Sequence, residues 1–195
     1  MQIVLVGSRW FGEQVFLMLR EREHEVHVVA PSESDRLALA AAAAGSRVVI
    51  PEKRRVSEAH VPGAFDLLVA AHSHSFVTAE ARGKAQLGAI GYHPSLLPRH
   101  RGIAAVEWTI RCGDPIAGGS IYHLSEGMDA GPIAAQDWCF VLPGESAPDL
   151  WRRALAPIGL KLLARVVDEY AQTGTTAALP QIAEAVTYAP LVKSA

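Results

Sequence analysis

The segment Tyr92-His93-Pro94-Ser95-Leu96-Leu97-Pro98-Arg99-His100-Arg101-Gly102 concentrates the side chains best suited to chemistry. A proline disfavours helix in the residue before it, so Pro94 biases His93 towards an extended backbone. The histidine is thereby placed at the end of a strand, facing a stiff loop bounded by Pro94 and Pro98. In a parallel α/β sheet, the crevice beyond the carboxyl ends of the strands is the usual place for a ligand. Taken alone, a strand-end histidine can be catalytic, structural or merely exposed. Arg99, His100 and Arg101 form a compact basic loop, either solvated surface or a contact for an anionic ligand. Ser95 has no base and orienter to mark it as a nucleophile.

Three other groups invite a functional reading. Gly7-Ser8-Arg9-Trp10-Phe11-Gly12 lies between a first strand and a helix, where backbone donors and the helix dipole can receive an anion. Its spacing is not G-x-G-x-x-G, which argues against a dinucleotide, and a plain tight turn is the alternative. His72 and His74 form an H-x-H pair, but no third ligand follows at a recognisable spacing, so no metal is expected. Lys53-Arg54-Arg55 reads as a solvated turn.

The elements that must position these groups alternate between strand and helix. Strands are predicted at Ile3–Val6, Glu25–Ala30, Arg47–Ile50, Leu67–Ala71 and Ala89–Tyr92. Helical patterns run over Phe11–Arg22, Asp35–Ala44, Thr78–Lys84 and Ala104–Cys112. That alternation predicts βαβ units and a parallel sheet. Ser120–Leu124 and Ile133–Phe140 read as two strands joined by a short loop, which predicts antiparallel pairing and hence a mixed sheet. From Ser146 onward the chain is helical, with Ile158, Leu162, Leu163, Val166, Val167 and Tyr170 at helical spacing. Pro157 suits the first turn of a new helix there.

Composition sets the class. The 195 residues are 50% hydrophobic and 19% charged, which is ordinary for a globular protein. A formal charge of -2 gives no support to a general nucleic-acid binder. Cys112 and Cys139 have no metal-ligand spacing and read as small, mostly buried apolar groups in a reducing compartment. The N-terminus has no signal-peptide pattern, and no run is long enough to span a bilayer, so a cytoplasmic location is expected.

The run His93-Pro94-Ser95-Leu96-Leu97-Pro98, followed by Arg101-Gly102, resembles the signature of the folate-dependent formyltransferase family. Glu126-Gly127-Met128-Asp129-Ala130-Gly131-Pro132-Ile133 is similar to that family's Asp-x-Gly-x-Ile motif, which supplies a catalytic aspartate. Order and separation match as well. Within the family, the histidine loop, the opening glycine loop and the Leu179-Pro180-Gln181 segment are most similar to the amino-terminal hydrolase domain of 10-formyltetrahydrofolate dehydrogenase. The likeness covers nearly the whole chain. It implies an α/β formyltransferase-type fold: a single catalytic domain over 1–195, without the family's C-terminal barrel, built on a mixed, mostly parallel twisted sheet with helices on both faces. It also implies a cis peptide bond at Leu97-Pro98.

The family's trio is an asparagine, a histidine two residues later and a distant aspartate. His93 and Asp129 match; Gly91 stands at the asparagine position, a departure shared by the hydrolase branch. What the resemblance implies is 10-formyltetrahydrofolate as cosubstrate, no metal, and formyl transfer or hydrolysis releasing tetrahydrofolate. By the same likeness, folate is held by Ala71, His72, Ser73, Phe76, Leu87, Pro94, Ser95, Leu96, Leu97, Gly127 and Met128. The acceptor faces Gly7, Ser8, Arg9 and Trp10, with Arg99 and Arg101 contacting a folate tail or acceptor phosphate. The expected partner is a small-molecule substrate, with no nucleic acid and no membrane. Three alternatives stay open: an N-formyltransferase for a small amine, nucleotide sugar, carrier-bound group or methionyl-tRNA; a non-catalytic folate-binding protein, for which Gly91 speaks; and a nucleotide-binding Rossmann module.

Overall fold

The structure is a computed structural model that describes residues 1–73 and 75–192. The chain forms two compact units: unit 1 is Met1–Gly91 with Tyr170–Thr175, and unit 2 is Tyr92–Glu169 with Thr176–Ala195.

Unit 1 carries the βα alternation. Its elements are β1 (Gln2–Gly7), α1 (Arg9–Glu21), β2 (Glu25–Val29), α2 (Arg36–Ala43), β3 (Val48–Val49), β4 (Arg55–Val56), β5 (Phe65–Ala71), β6 (Phe76–Val77), α3 (Ala79–Arg82) and most of β7 (Ala85–His93). The main sheet runs β3-β2-β1-β5-β7, and every pairing in it is parallel. Ile3, Val4, Leu5, Leu67, Leu68 and Val69 are wholly buried, as expected of strands covered on both faces. On α1 the buried positions Phe11, Val15, Phe16 and Leu19 recur at helical spacing. Gly7 must be glycine, because a Cβ there would lie 2.6 Å from the Ala71 carbonyl oxygen.

Several boundaries differ from the sequence reading. The helix α1 opens at Arg9, two residues before Phe11, directly after Ser8. The stretch read as irregular, 51–63, contains β4, which pairs with β6 in a separate two-stranded sheet. Two-residue strands are too short to show any period. The strand β7 begins at Ala85 rather than Ala89; Gly88, at φ +113°, and a register shift opposite Phe65 and Leu67 hide its alternation.

Unit 2 takes the end of β7 and adds α4 (Ala105–Arg111), β8 (Ile116–His123), β9 (Ile133–Phe140), α5 (Ala147–Leu150), a π-helical turn (Trp151–Leu155) and most of α6 (Ala156–Thr173). The order continues β7-β8-β9, with β8 and β9 antiparallel, so the sheet is mixed but mostly parallel. Val106, Ala117, Leu150, Ala154 and Leu155 form a core cluster of this unit. Pro157 does not open a new helix: α5, the π-helical turn and α6 follow one another without a gap, and the π-helical turn lies just before the proline, where the regular bonding ladder is interrupted. Leu162, Leu163, Val166, Val167 and Tyr170 are all buried. Cys112 is exposed rather than buried, since it caps the outer end of α4, and both cysteines are free thiols. No helix among the described residues is long and apolar enough to cross a membrane.

The start of β8 is another correction: it begins at Ile116, not Ser120. Gly118 and Gly119 carry no side chain to reveal strand alternation, and the reason they are glycines lies in the histidine loop. A Cβ on Gly119 would come within 2.5 Å of the Tyr92 ring, and one on Gly118 within 2.6 Å of Leu96. The Tyr92 hydroxyl is itself tied to the Leu155 carbonyl at 2.6 Å, so the ring cannot swing aside without losing that bond. Gly119→Ala is therefore expected to destabilise the fold by about 1–3 kcal/mol, as overpacking does. A urea midpoint equal to wild type would show that Tyr92 is not held.

Candidate active site

At the end of β7, His93 is only 6% exposed. Its Nε2 lies 2.8 Å from the His100 carbonyl oxygen. A carbonyl can only accept, so Nε2 carries a proton and donates it. The other ring nitrogen, Nδ1, faces Asp129 Oδ2 at 3.5 Å. That is an ion-pair distance, longer than a direct hydrogen bond. Tyr122 stands edge-on to the imidazole, with ring centroids 6.5 Å apart.

The carboxylate is held from two sides. Asp129 Oδ1 accepts from the Tyr122 hydroxyl at 2.7 Å, and Oδ2 accepts from the Gly102 N–H at 2.8 Å. Burial, with the neighbouring Asp129 charge, pushes the Tyr122 phenol well above its ordinary pKa of 10.0, so it remains a donor. Asp129 adopts φ +50° and His100 φ +58°. Arg9 and His72 also have positive φ, at +58° and +54°. Such conformations cost non-glycine residues about 1–3 kcal/mol each and cluster where function requires them.

The loop beyond His93 is pinned by β8 and β9. The Ser120 hydroxyl donates to the Ser95 carbonyl at 2.6 Å and accepts from the Leu97 N–H and from Gln136 Nε2. Gln136 also donates to the Leu97 carbonyl. The Leu97-Pro98 peptide is cis, as the resemblance implies. The Ser95 hydroxyl donates to the Arg99 carbonyl, a structural bond within the loop. Further along, Asp114 takes both Arg99 Nε and Nη2, and also His100 Nε2 at 2.7 Å. Burial opposes the charge on Asp114, but these donors outweigh it and hold the carboxyl below its ordinary value of 3.8.

Unit 1 contains a cleft lined by Gly7, Ser8, Arg9, Asp35, Arg54, Ser73 and Ser75, among others. The Ser8 hydroxyl donates to the His72 carbonyl at 2.7 Å. The first N–H of α1, on Arg9, donates to both carboxylate oxygens of Asp35, at 2.9 and 3.0 Å. Asp35 also caps α2 through the Leu37 N–H. The anion at the start of α1 is thus a side chain of the chain itself.

The proposed site residues fall into the two units separately. Unit 1 holds Gly7, Ser8, Arg9, Trp10, Ala71, His72, Ser73, Phe76, Leu87 and Gly91; unit 2 holds His93, Pro94–Leu97, Arg99, Arg101, Gly127, Met128 and Asp129. Ser73 shares the cleft of Ser8 and Arg9, whereas Trp10 does not line it. Ala71 is wholly buried at the end of β5, while Phe76 and Met128 are exposed. Arg99 is committed to Asp114, and Arg101 to Gln181. His74 lies outside the described residues. Among the described residues no three His, Cys, Asp or Glu side chains are grouped as metal ligands.

Residues 1–167 match the sequence pattern of the formyl transferase family. The chain belongs to that family. A curated relative, human mitochondrial 10-formyltetrahydrofolate dehydrogenase, is 34% identical over 206 residues, covering 99% of this chain and 22% of its own. The chain thus spans less than a quarter of that relative's length. Among solved structures, glycinamide ribonucleotide transformylase 1 from Symbiobacterium toebii superposes with a TM-score of 0.76 at 20% identity, covering 92% of this chain and 94% of its own. The N-formyltransferase from Helicobacter canadensis, in complex with folinic acid and dTDP-3-aminofucose, gives a TM-score of 0.81 at 14% identity, covering 97% and 71%.

The structure brings the two motif residues, His93 and Asp129, within 3.5 Å of each other and adds supports that the motifs do not contain. Tyr122, Asp114 and Asp35 were missed, and His100 and Gly102 were read only as members of the histidine loop, not as backbone partners of His93 and Asp129. Tyr122 had a signal: it lies on a strand seven residues before Asp129. The carboxylates of Asp114 and Asp35 reach partners 14 or more residues away and leave no local pattern.

Two measurements follow from this geometry. Asp114 has a depressed pKa, so its contribution is complete above 3.8 and is lost as pH falls below that value. Asp114→Asn should cost about 2 kcal/mol at pH 7, and its deficit against wild type should close in acid denaturation as pH falls below the ordinary value of 3.8. A deficit constant with pH would rule out the charge as its source. Asp35→Ser keeps an N-cap for α2 but withdraws the carboxylate from Arg9. Inorganic phosphate should then raise the Tm of the variant and not of wild type; equal protection of both would refute the occupancy of that position by Asp35.

Proposed function

We propose that this chain removes the formyl group from 10-formyltetrahydrofolate, with water as the acceptor, giving formate and tetrahydrofolate. The observation that carries the reading is the buried His93 with the half-buried Asp129 at its Nδ1 edge, the carboxylate held by Tyr122 and Gly102. Membership of the formyl transferase family and the likeness to a 10-formyltetrahydrofolate dehydrogenase support the cosubstrate.

Water oxygen attacks the formyl carbon and the carbonyl pair moves onto oxygen. Because Nε2 of His93 donates to His100, the Nδ1 edge is the one left to meet that oxyanion. Asp129, whose Oδ2 lies 3.5 Å from Nδ1, can accept a proton from the attacking water. The C–N bond then breaks, its electron pair returns to the folate nitrogen, and a proton follows it there. Gly91 brings no amide donor, and one missing oxyanion donor costs about 10²–10³ in rate. An ordered water can take that donor's place. Within unit 2, the folate contacts assigned to Leu96, Leu97, Gly127 and Met128 belong to this reading.

Water is favoured over a phosphorylated amine because Asp35 already occupies the first N–H of α1. The test is formate production from 10-formyltetrahydrofolate, with no added acceptor, by wild type, His93→Ala and Asp129→Asn. Wild type is expected to release formate and both variants to fall by about 10²–10⁴. Folate binding without release by wild type would overturn the hydrolase reading.

A further inference from the structure

Gln181 lies past residues 1–167, the stretch that matches the family pattern. Its side-chain amide has two acceptor positions and two donors, and all are used between two loops. Oε1 accepts from Arg101 Nε at 3.0 Å and Nη2 at 2.7 Å. Nε2 donates to the Asp129 carbonyl at 2.8 Å and to the Gly131 carbonyl at 2.7 Å.

Those loops bring the pair together. One carries Asp129 at φ +50°, a conformation an aspartate leaves readily unless its peptide groups are held. The other supplies the His100 carbonyl to His93 and the Gly102 N–H to Asp129. The chain after Gln181 ties the second loop again: His100 N–H donates to Thr187 Oγ1, Arg101 N–H to the Thr187 carbonyl, and Ala189 N–H to the Arg101 carbonyl. Leu179 pairs with Ile133 just past Asp129 through two bonds of 2.8 and 2.9 Å. The segment from Leu179 to Ala189 therefore bonds to both loops within unit 2.

We infer that Gln181 is a positioning residue for the His93–Asp129 pair, acting through the Asp129 carbonyl and the Arg101 guanidinium. Its activity readout rests on the proposed formyl chemistry; a second readout does not. Gln181→Glu keeps acceptors for Arg101 but replaces two donors with an oxygen facing two carbonyls, and Gln181→Met removes both functions at similar length. Formyl release should show kcat reduced by about 10-fold or more, since small misplacements of reacting groups are costly, with KM for the folate within about twofold. In either variant, the ¹⁵N signals of the His93 ring should move, because Asp129 no longer sits at Nδ1. If wild type releases no formate, the functional reading fails, and the ring signals decide the positioning role alone. Ring signals unchanged in both folded variants would overturn the inference, as would a rise in KM at constant kcat.

Discussion

The charge on Asp129 is the constraint around which unit 2 is arranged. A carboxylate in a half-buried place needs donors, and an aspartate at positive φ needs its backbone restrained. Tyr122 and the Gly102 N–H meet the first need; Gln181, on the carbonyls of Asp129 and Gly131, meets the second. Removing any one donor would leave part of a charge or a carbonyl unsatisfied, and such groups are costlier to strand than they are to pair. The arrangement is a network, and its members are expected to respond to substitution together.

His93 depends on that network and on the loop it enters. The carbonyl it bonds belongs to His100, whose own ring is held by Asp114 and whose backbone is held by Thr187. The strand β8 supports the near side, where the Ser120 hydroxyl donates to the Ser95 carbonyl and accepts from the Leu97 N–H of the loop and from the Gln136 amide of β9. Glycines at 118 and 119 let Tyr92 and Leu96 lie flat against that strand. Thus the orientation of one imidazole is set by two strands, a basic loop and the C-terminal segment.

Unit 1 shows how a side chain can take the place of a bound anion at a βα turn. The βα turn has the layout that receives anions in many nucleotide-binding proteins, with Gly7 permitting close approach to β5. Asp35 supplies the anion instead. The cleft beside it is lined by Arg9, Arg54, Ser73 and Ser75, among others.

The family resemblance, rather than the residues alone, implied the cis peptide at Leu97-Pro98 and marked His93 and Asp129, whereas the sequence by itself determined the βα alternation of unit 1 and the antiparallel pair of unit 2. These were legible because they rest on local matters: apolar periodicity, proline restrictions and short motifs carried within a few residues. Only the tertiary structure decided that His93 Nε2 is spent on His100, that Arg99 is spent on Asp114, and that Gln181 joins the two motif loops. It also decided that Asp35 stands at the anion position of α1 and that β8 runs through Gly118 and Gly119. The bonds among these join groups separated in the chain, by 80 residues for Gln181 and Arg101, 26 for Arg9 and Asp35 and 15 for Arg99 and Asp114, down to the seven between His93 and His100. A hydrogen bond of that sort is set by where strands and turns place two atoms, and no residue type or spacing encodes that distance.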